Sequence, residues 1–368
     1  MDKAVNIRSG LWFFIIAAII CVWCSYFGYS ATVENSFDTS FFNKFGSALS
    51  AITTAYLLLI FMPLPIEQHW TDKIRLGIVL TIGAVVMGIF CWPLIAPHAE
   101  RETVSFFCSC ISVTDALIVI LGAFATGAAA YFLGYPNGRY TALAAVPMGV
   151  GIWALRSGTI SNLLTYNNSP EQHRLVYMSL RWEGIFWFLV IAAGYAGVKT
   201  AAILCKDTAK SEEPAKKKQP AGDLALPLVI TAAIAWLLTN ILAQSPKIMT
   251  TGNGIIHAQP RQAQIAFALL AAFGVAGYLV KRYMNVRIEI PVISTVLVSL
   301  GAAIFSGRDS ILEFSKNIPT SIFLHPISAI LPVQMIAFGT LGVLIGYGIA
   351  ILSHHKKKLL DADQAVKQ

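Results

Sequence analysis

The sequence predicts an all-α protein, a polytopic integral membrane bundle of about ten transmembrane helices, and three observations predict it. Of its 368 residues, 56% are hydrophobic and 12% charged, about half the charged share of a soluble domain. The apolar residues gather in repeated runs of roughly 20 residues with few or no charges, each enough to cross a ~30 Å hydrocarbon core at 1.5 Å per residue. Basic residues fall mainly in every second connection between those runs, as the positive-inside rule requires. The runs are too long and too uniformly apolar for the alternating strands of an outer-membrane barrel.

In order, the spans are expected near 11–29, 48–65, 74–96, 111–134, 140–155, 182–204, 224–243, 264–280, 290–305 and 329–352. The first follows Lys3 and Arg8, like a secretory signal. Its apolar run of about 19 residues exceeds the ~7–15 of a signal h-region, and no clean A-x-A site follows, so it reads as a retained anchor. The fifth and ninth spans are short and carry Pro147 and Pro291. The chain then divides into two leading helices (1–66), a four-helix unit A (67–205), a basic linker (206–222), a four-helix unit B (223–355) and a tail (356–368).

Placing both termini in the cytoplasm puts Lys73, Arg75, Arg139, Lys206, Lys216, Lys217, Lys218, Lys281, Arg282 and Lys356 inside. Arg101, Arg156, Arg174, Arg181, Arg261 and Arg308 fall outside, and the whole count favours the inside about two to one. The expected location is the cytoplasmic (inner) membrane. The net charge of +8 meets lipid headgroups from the loop edges, which makes the lipid bilayer the partner and excludes a nucleic-acid patch.

Units A and B resemble one another. Arg75-Leu76-Gly77-Ile78-Val79-Leu80-Thr81 opens the third span, and Ala225-Leu226-Pro227-Leu228-Val229-Ile230-Thr231 opens the seventh. Tyr135-Pro136-Asn137-Gly138-Arg139 and Tyr283-Met284-Asn285-Val286-Arg287 share Tyr-x-Asn-x-Arg. Gly194-Tyr195 matches Gly346-Tyr347, and His98-Ala99 matches His257-Ala258, all in one order. A tandem duplication of four spans accounts for this; similarity common to apolar helices is the alternative. Two units of even span number insert the same way up, related by a pseudo-twofold axis along the membrane normal, as in some transporters. There, Pro147 and Pro291 at matching places would point to a site, although proline also kinks membrane helices without further purpose. Gly342-x-x-x-Gly346, Gly122 to Gly127 and Gly274-x-x-Gly277 suit close helix packing, internal to the chain rather than a dimer face.

Charges inside spans are the default site candidates. Asp115, Arg156, Arg181 and Glu183 fall on the outer side, either as a substrate-binding cluster or as a structural clamp of interfacial charges. Lys199 lies near enough to the inner edge to snorkel. The expected midplane holds hydroxyls and amides (Thr81, Thr126, Tyr195, Asn240, Thr340) and no ionisable group, which weighs against a proton-driven pump. His98, His173, His257 and His325 occupy outer loops but lack metal-site spacing, and no cofactor or metal is expected. Cys24, Cys91, Cys108 or Cys110 could bridge in an oxidising exterior, with small apolar packing as the alternative. The expected function is permease-like transport or binding of a small neutral or amphipathic molecule. The alternatives are a non-transporting scaffold or complex subunit, and an enzyme on a lipid-linked substrate using Glu171, His173 and Arg174.

Overall fold

The computed structural model of the protein describes residues 70–97, 103–106, 111–135, 138–167, 169–205, 222–244, 248–251, 254–315 and 319–366. The two leading spans, Cys21, Cys24, Cys108, Cys110, His98, Arg101 and the linker up to residue 221 lie outside those residues. Pro63–Gln368 form one compact unit.

Each of the other eight expected spans is helical. Helix α1 (Trp70–Val85) runs into a π turn over Val86–Phe90 and the short α2 (Trp92–Ile95). In the π turn Cys91 N reaches Val86 O, five residues back, at 3.1 Å. Then come α3 (Val113–Gly134), α4 (Gly138–Thr141), a 3₁₀ turn at Ala142–Ala144, α5 (Ala145–Arg156), α6 (Ile160–Tyr166) and α7 (Pro170–Leu204). The second group comprises α8 (Gly222–Leu242), α9 (Gln262–Met284), α10 (Glu289–Ser306), α11 (Asp309–Ser315) and α12 (Pro332–Val366). Six helices are long and apolar enough to cross a membrane, or seven if Ala142–Arg156 and Ile160–Tyr166, bent by 49°, form one broken span. Ile74–Phe90 is a shorter apolar helix. Large apolar side chains stand exposed along α3 (Leu117, Leu121, Phe132) and α8 (Leu226, Val229, Leu237), faces that water would not tolerate and lipid would. The chain is a helical membrane protein.

Packing within the two groups follows one scheme. In the first, α1 packs on α3 and on α5, and α3 packs along α7. In the second, α8 packs on α9 and on α10, and α9 packs along α12. Across the groups the contacts are reciprocal: α5 meets α12, α10 meets α7, and α7 meets α12. Helix α12 is the hub, with 78% of its apolar window buried against 22% for α8. The two most extensive pairings are glycine crossings. A Cβ on Gly127 would overlap the Gly194 carbonyl oxygen, and one on Gly346 would overlap that of Gly274. Backbones this close gain dispersion contact that Leu against Leu in lipid does not offer.

Three features depart from the expected outline. Helix α7 begins twelve residues ahead of the expected 182, because Ser169 accepts from Gln172 N at 3.2 Å while Gln172 Oε1 accepts from Ser169 N at 3.1 Å, a capping box with Pro170 in the first turn. At 35 residues α7 extends about 52 Å, well beyond the hydrocarbon core. Between helices, β1 (Ile248–Thr251), β2 (Gly254–Ala258) and β3 (Ile322–Phe323) form an antiparallel sheet in register Ile248↔His257 and His257↔Phe323. Helix α12 continues to Val366, past the apolar stretch Pro332–Ile351 that is long enough to span.

The two prolines act differently. Pro147 lies in a continuous helical run, and its missing N–H and bulky ring explain the tightened 3₁₀ turn just before it. Pro291 is the third residue of α10, where helix N–H groups lack intrahelical partners in any case. Both are buried.

Candidate functional site

Several polar side chains within the spans spend a donor on their own helix. Thr81 donates to Gly77 O at 2.8 Å, Thr126 to Gly122 O at 2.7 Å, Thr231 to Pro227 O at 2.6 Å, and Asn240 Nδ2 to Trp236 O at 3.0 Å. A hydroxyl has one proton, so bonding back to residue i−4 removes it from ligand chemistry. Thr239, Ser299 and Thr340 differ: each is buried with a hydroxyl oxygen that meets no partner.

The four charges expected as an outer cluster take separate neighbours. Glu183 is fully buried in α7, and Ser105 Oγ donates to its Oε1. Thr103, Val104 and Ser105, which follow α2 in the chain, are at most 1% exposed, and Phe106 stacks on Phe186 at 4.3 Å. Arg156, the last residue of α5, lies over the Trp92 ring at 4.3 Å and donates from NH1 to Gly88 O in the π turn at 3.4 Å. Both contacts suit a guanidinium at an interface, where planar stacking and forked donors act together. Arg181 lies on the α10 side of α7, its NH2 3.2 Å from where a Cβ on Gly307 would stand. Asp115 sits in the first turn of α3, next to the Ser112 cap, where the helix dipole favours a carboxylate.

Glu171, His173 and Arg174 also turn to different neighbours. Glu171 is exposed in the first turn of α7. His173 is buried with Nε2 3.2 Å from Leu164 O, fastening α6 to α7, and Arg174 pairs with Asp309 of α11 at 3.6 Å across exposed surface. Among the other histidines expected in outer loops, His257 on β2 is buried beside His325. Burial and that neighbour hold His257 below the ordinary histidine range, and burial does the same to His325. Among the described residues no three His, Cys, Asp or Glu side chains are grouped to hold a metal, and Cys91 and Cys205 are free thiols.

At the other end of the bundle a cluster joins the two groups. Tyr195 of α7 donates to Glu289 Oε1 of α10 at 2.6 Å, and Lys199 lies 3.7 Å from the same oxygen and 4.5 Å from the Tyr195 ring. Hydropathy passes over Glu289 because it stands at the edge of its span. Arg287-Ile288-Glu289-Ile290-Pro291, an acid in the first turn of a helix carrying proline, was the local signal.

One small cleft lies where the groups meet, about 10 Å³ in volume, room for one water. Tyr177 and Leu180 of α7, Ser299 and Ser306 of α10, Ser328 of a second 3₁₀ turn at Pro326–Ala329 and Met335 of α12 are among its walls. Ser306 Oγ and Ser328 Oγ are 2.8 Å apart. No family model, no curated protein and no solved structure matches this chain. What the protein does therefore rests on its own residues.

Proposed function

We propose that the protein is a permease-like protein of the cytoplasmic membrane, which binds or moves a small neutral or amphipathic molecule between two tandem four-helix units. In this reading it has ten spans, both termini in the cytoplasm, and the unit boundary in the basic linker. The carrying observation is the reciprocal packing of α5 on α12 and α10 on α7 around the α7–α12 contact. Two like units about a twofold axis would pack in that pattern, and transporters built so hold their substrates at the repeat interface. The four sequence matches, in the same order, support the duplication independently.

A non-transporting scaffold or complex subunit is the second reading. It is favoured by the tightness of the seam, where a Cβ on Gly151 of α5 would come within 3.2 Å of the Phe338 ring of α12 and one on Gly184 of α7 within 2.8 Å of Ser299 Oγ of α10. Reconstitution separates the two. Vesicles containing the full protein should admit glycerol or urea faster than protein-free vesicles in a light-scattering shrinkage assay. Rates equal to the protein-free control, with helicity and monodispersity intact, would leave the scaffold.

A further inference from the structure

The two helical groups are joined unequally at the two ends of their seam. We propose that the Tyr195–Glu289–Lys199 cluster is a latch, and that the seam opens at this end of the bundle while the opposite end stays hinged. The proposal deepens the permease reading, in which a solute passing between the groups requires them to part, and the latch is testable without transport.

Helices α7 and α10 trace the seam in opposite directions. Tyr195 meets Glu289 at one end, Gly184 faces Ser299 midway, and Gly307 lies against Tyr177 and Arg181 at the other. Around the Gly307 end the groups are tied at several places. Gln334 Nε2 of α12 donates to Ala154 O of α5 at 3.5 Å, Gln262 Nε2 of α9 donates to Ser157 O, and the Thr165 and Thr320 hydroxyls are 2.7 Å apart. Gln334 and Ser157 are at most 2% exposed, so parting this end strips hydrogen bonds from groups that water does not reach. No one side chain's rotation releases it.

The Glu289 end is built to part. Tyr195 donates to Glu289 Oε1 at 2.6 Å and Lys199 lies 3.7 Å from the same oxygen, so a single carboxylate carries both contacts to α7. The Lys199 and Glu289 side chains are 60% and 39% exposed, and water replaces each partner on release. Tyr347, the sequence counterpart of Tyr195, donates instead to Val286 O at 3.1 Å within its own group. That bond ties the turn before α10 to α12, so Glu289 moves with its group. Behind the latch, the buried Ser299 hydroxyl faces Gly184 without a partner, and this crossing adds no polar bond of its own.

The test uses full-length protein in open membrane fragments, carrying Ser299→Cys or, as control near the hinge, Ser306→Cys. Labelling by a small methanethiosulfonate is read at each cysteine by mass spectrometry, since only a thiol that meets water ionises and reacts. Ser299→Cys, about 15 Å along α10 from Glu289, should be nearly inert while the latch is intact. Adding Glu289→Ala should speed its labelling roughly tenfold and leave Ser306→Cys unchanged. Tyr195→Phe repeats the measurement if Glu289→Ala fails to fold. An unchanged rate at Ser299→Cys would overturn the latch. Equal rises at both positions would overturn it too, because they report loosening of the whole bundle. A rise at Ser306→Cys alone would put the opening at the wrong end. Unmasking of Ser299→Cys in a protein that admits no solute into vesicles would keep the latch and remove the permease reading. Solute entry without unmasking would do the reverse.

Discussion

At the residue scale, the bundle depends on glycines where two backbones touch. Gly346→Ala drives a methyl group into the Gly274 carbonyl at the α9–α12 crossing, which neither helix can relieve without separating. The expected cost is about 1–3 kcal/mol, seen as a lowered unfolding temperature in detergent. Gly274→Ala is the control, because its new Cβ would lie 3.4 Å from Gly342 O, an ordinary contact. Helix propensity then makes it neutral or slightly stabilising, by roughly 0.5–1 kcal/mol. If both variants melt together, close approach is not what holds these helices. Tyr195→Phe should cost roughly 1.5 kcal/mol by removing a charge-assisted bond to Glu289. Lys199→Ala should cost less, since its ion pair with Glu289 is exposed to solvent.

At the scale of elements, the three-stranded sheet should respond to acid. The folded state holds His257 and His325 below their ordinary pKa, so the unfolded chain binds protons more readily than the folded one as pH falls through about 6.5. Their stabilising contribution is complete above that pH and diminishes below it. Protection of the Gly254–Ala258 amides, taken as exchange relative to the intrinsic base-catalysed rate at each pH, should therefore fall between pH 7.5 and pH 5.5, and His257→Asn should blunt the change. Protection that is flat with pH in the parent protein would show that the sheet does not depend on neutral imidazoles. The extension of α7 belongs to this scale as well. Ser169-Pro170-Glu171-Gln172 carried a helix-start signature in the sequence, but a hydropathy window places helix ends by apolarity and so begins the span at 182.

At the scale of the whole molecule, the predictions concern orientation and the seam. Cys205 is exposed at the end of α7, beside the basic linker. A membrane-impermeant maleimide should leave it unmodified in intact cells and label it in inverted vesicles, and the opposite pattern would invert the topology. A protease site inserted into 206–222 tests the assembly. After cleavage, the two fragments should copurify in mild detergent, because α7 and α12 each pack across the seam. Fragments that separate would mean that the linker, rather than the interface, joins the units.

The sequence by itself determined the helical membrane class and the approximate places of eight of the helical stretches the structure describes. Apolar runs of spanning length are a local property, and backbone hydrogen bonding in lipid leaves helix as their form. It also exposed Asp115, Arg156, Arg181 and Glu183 as the unusual charges. Only the tertiary structure decided where they went: Glu183 onto Ser105, Arg156 onto Trp92, and Arg181 against α10. The same holds for Tyr195 and Glu289, 94 residues apart, and for the unsatisfied hydroxyl of Ser299 in its cleft. The physical reason is that lipid is as apolar as the helices it surrounds, so hydrophobicity does not choose helix partners there. Partner choice falls to glycine contacts and a few polar bonds between residues far apart in the chain, and those exist only once the helices are packed.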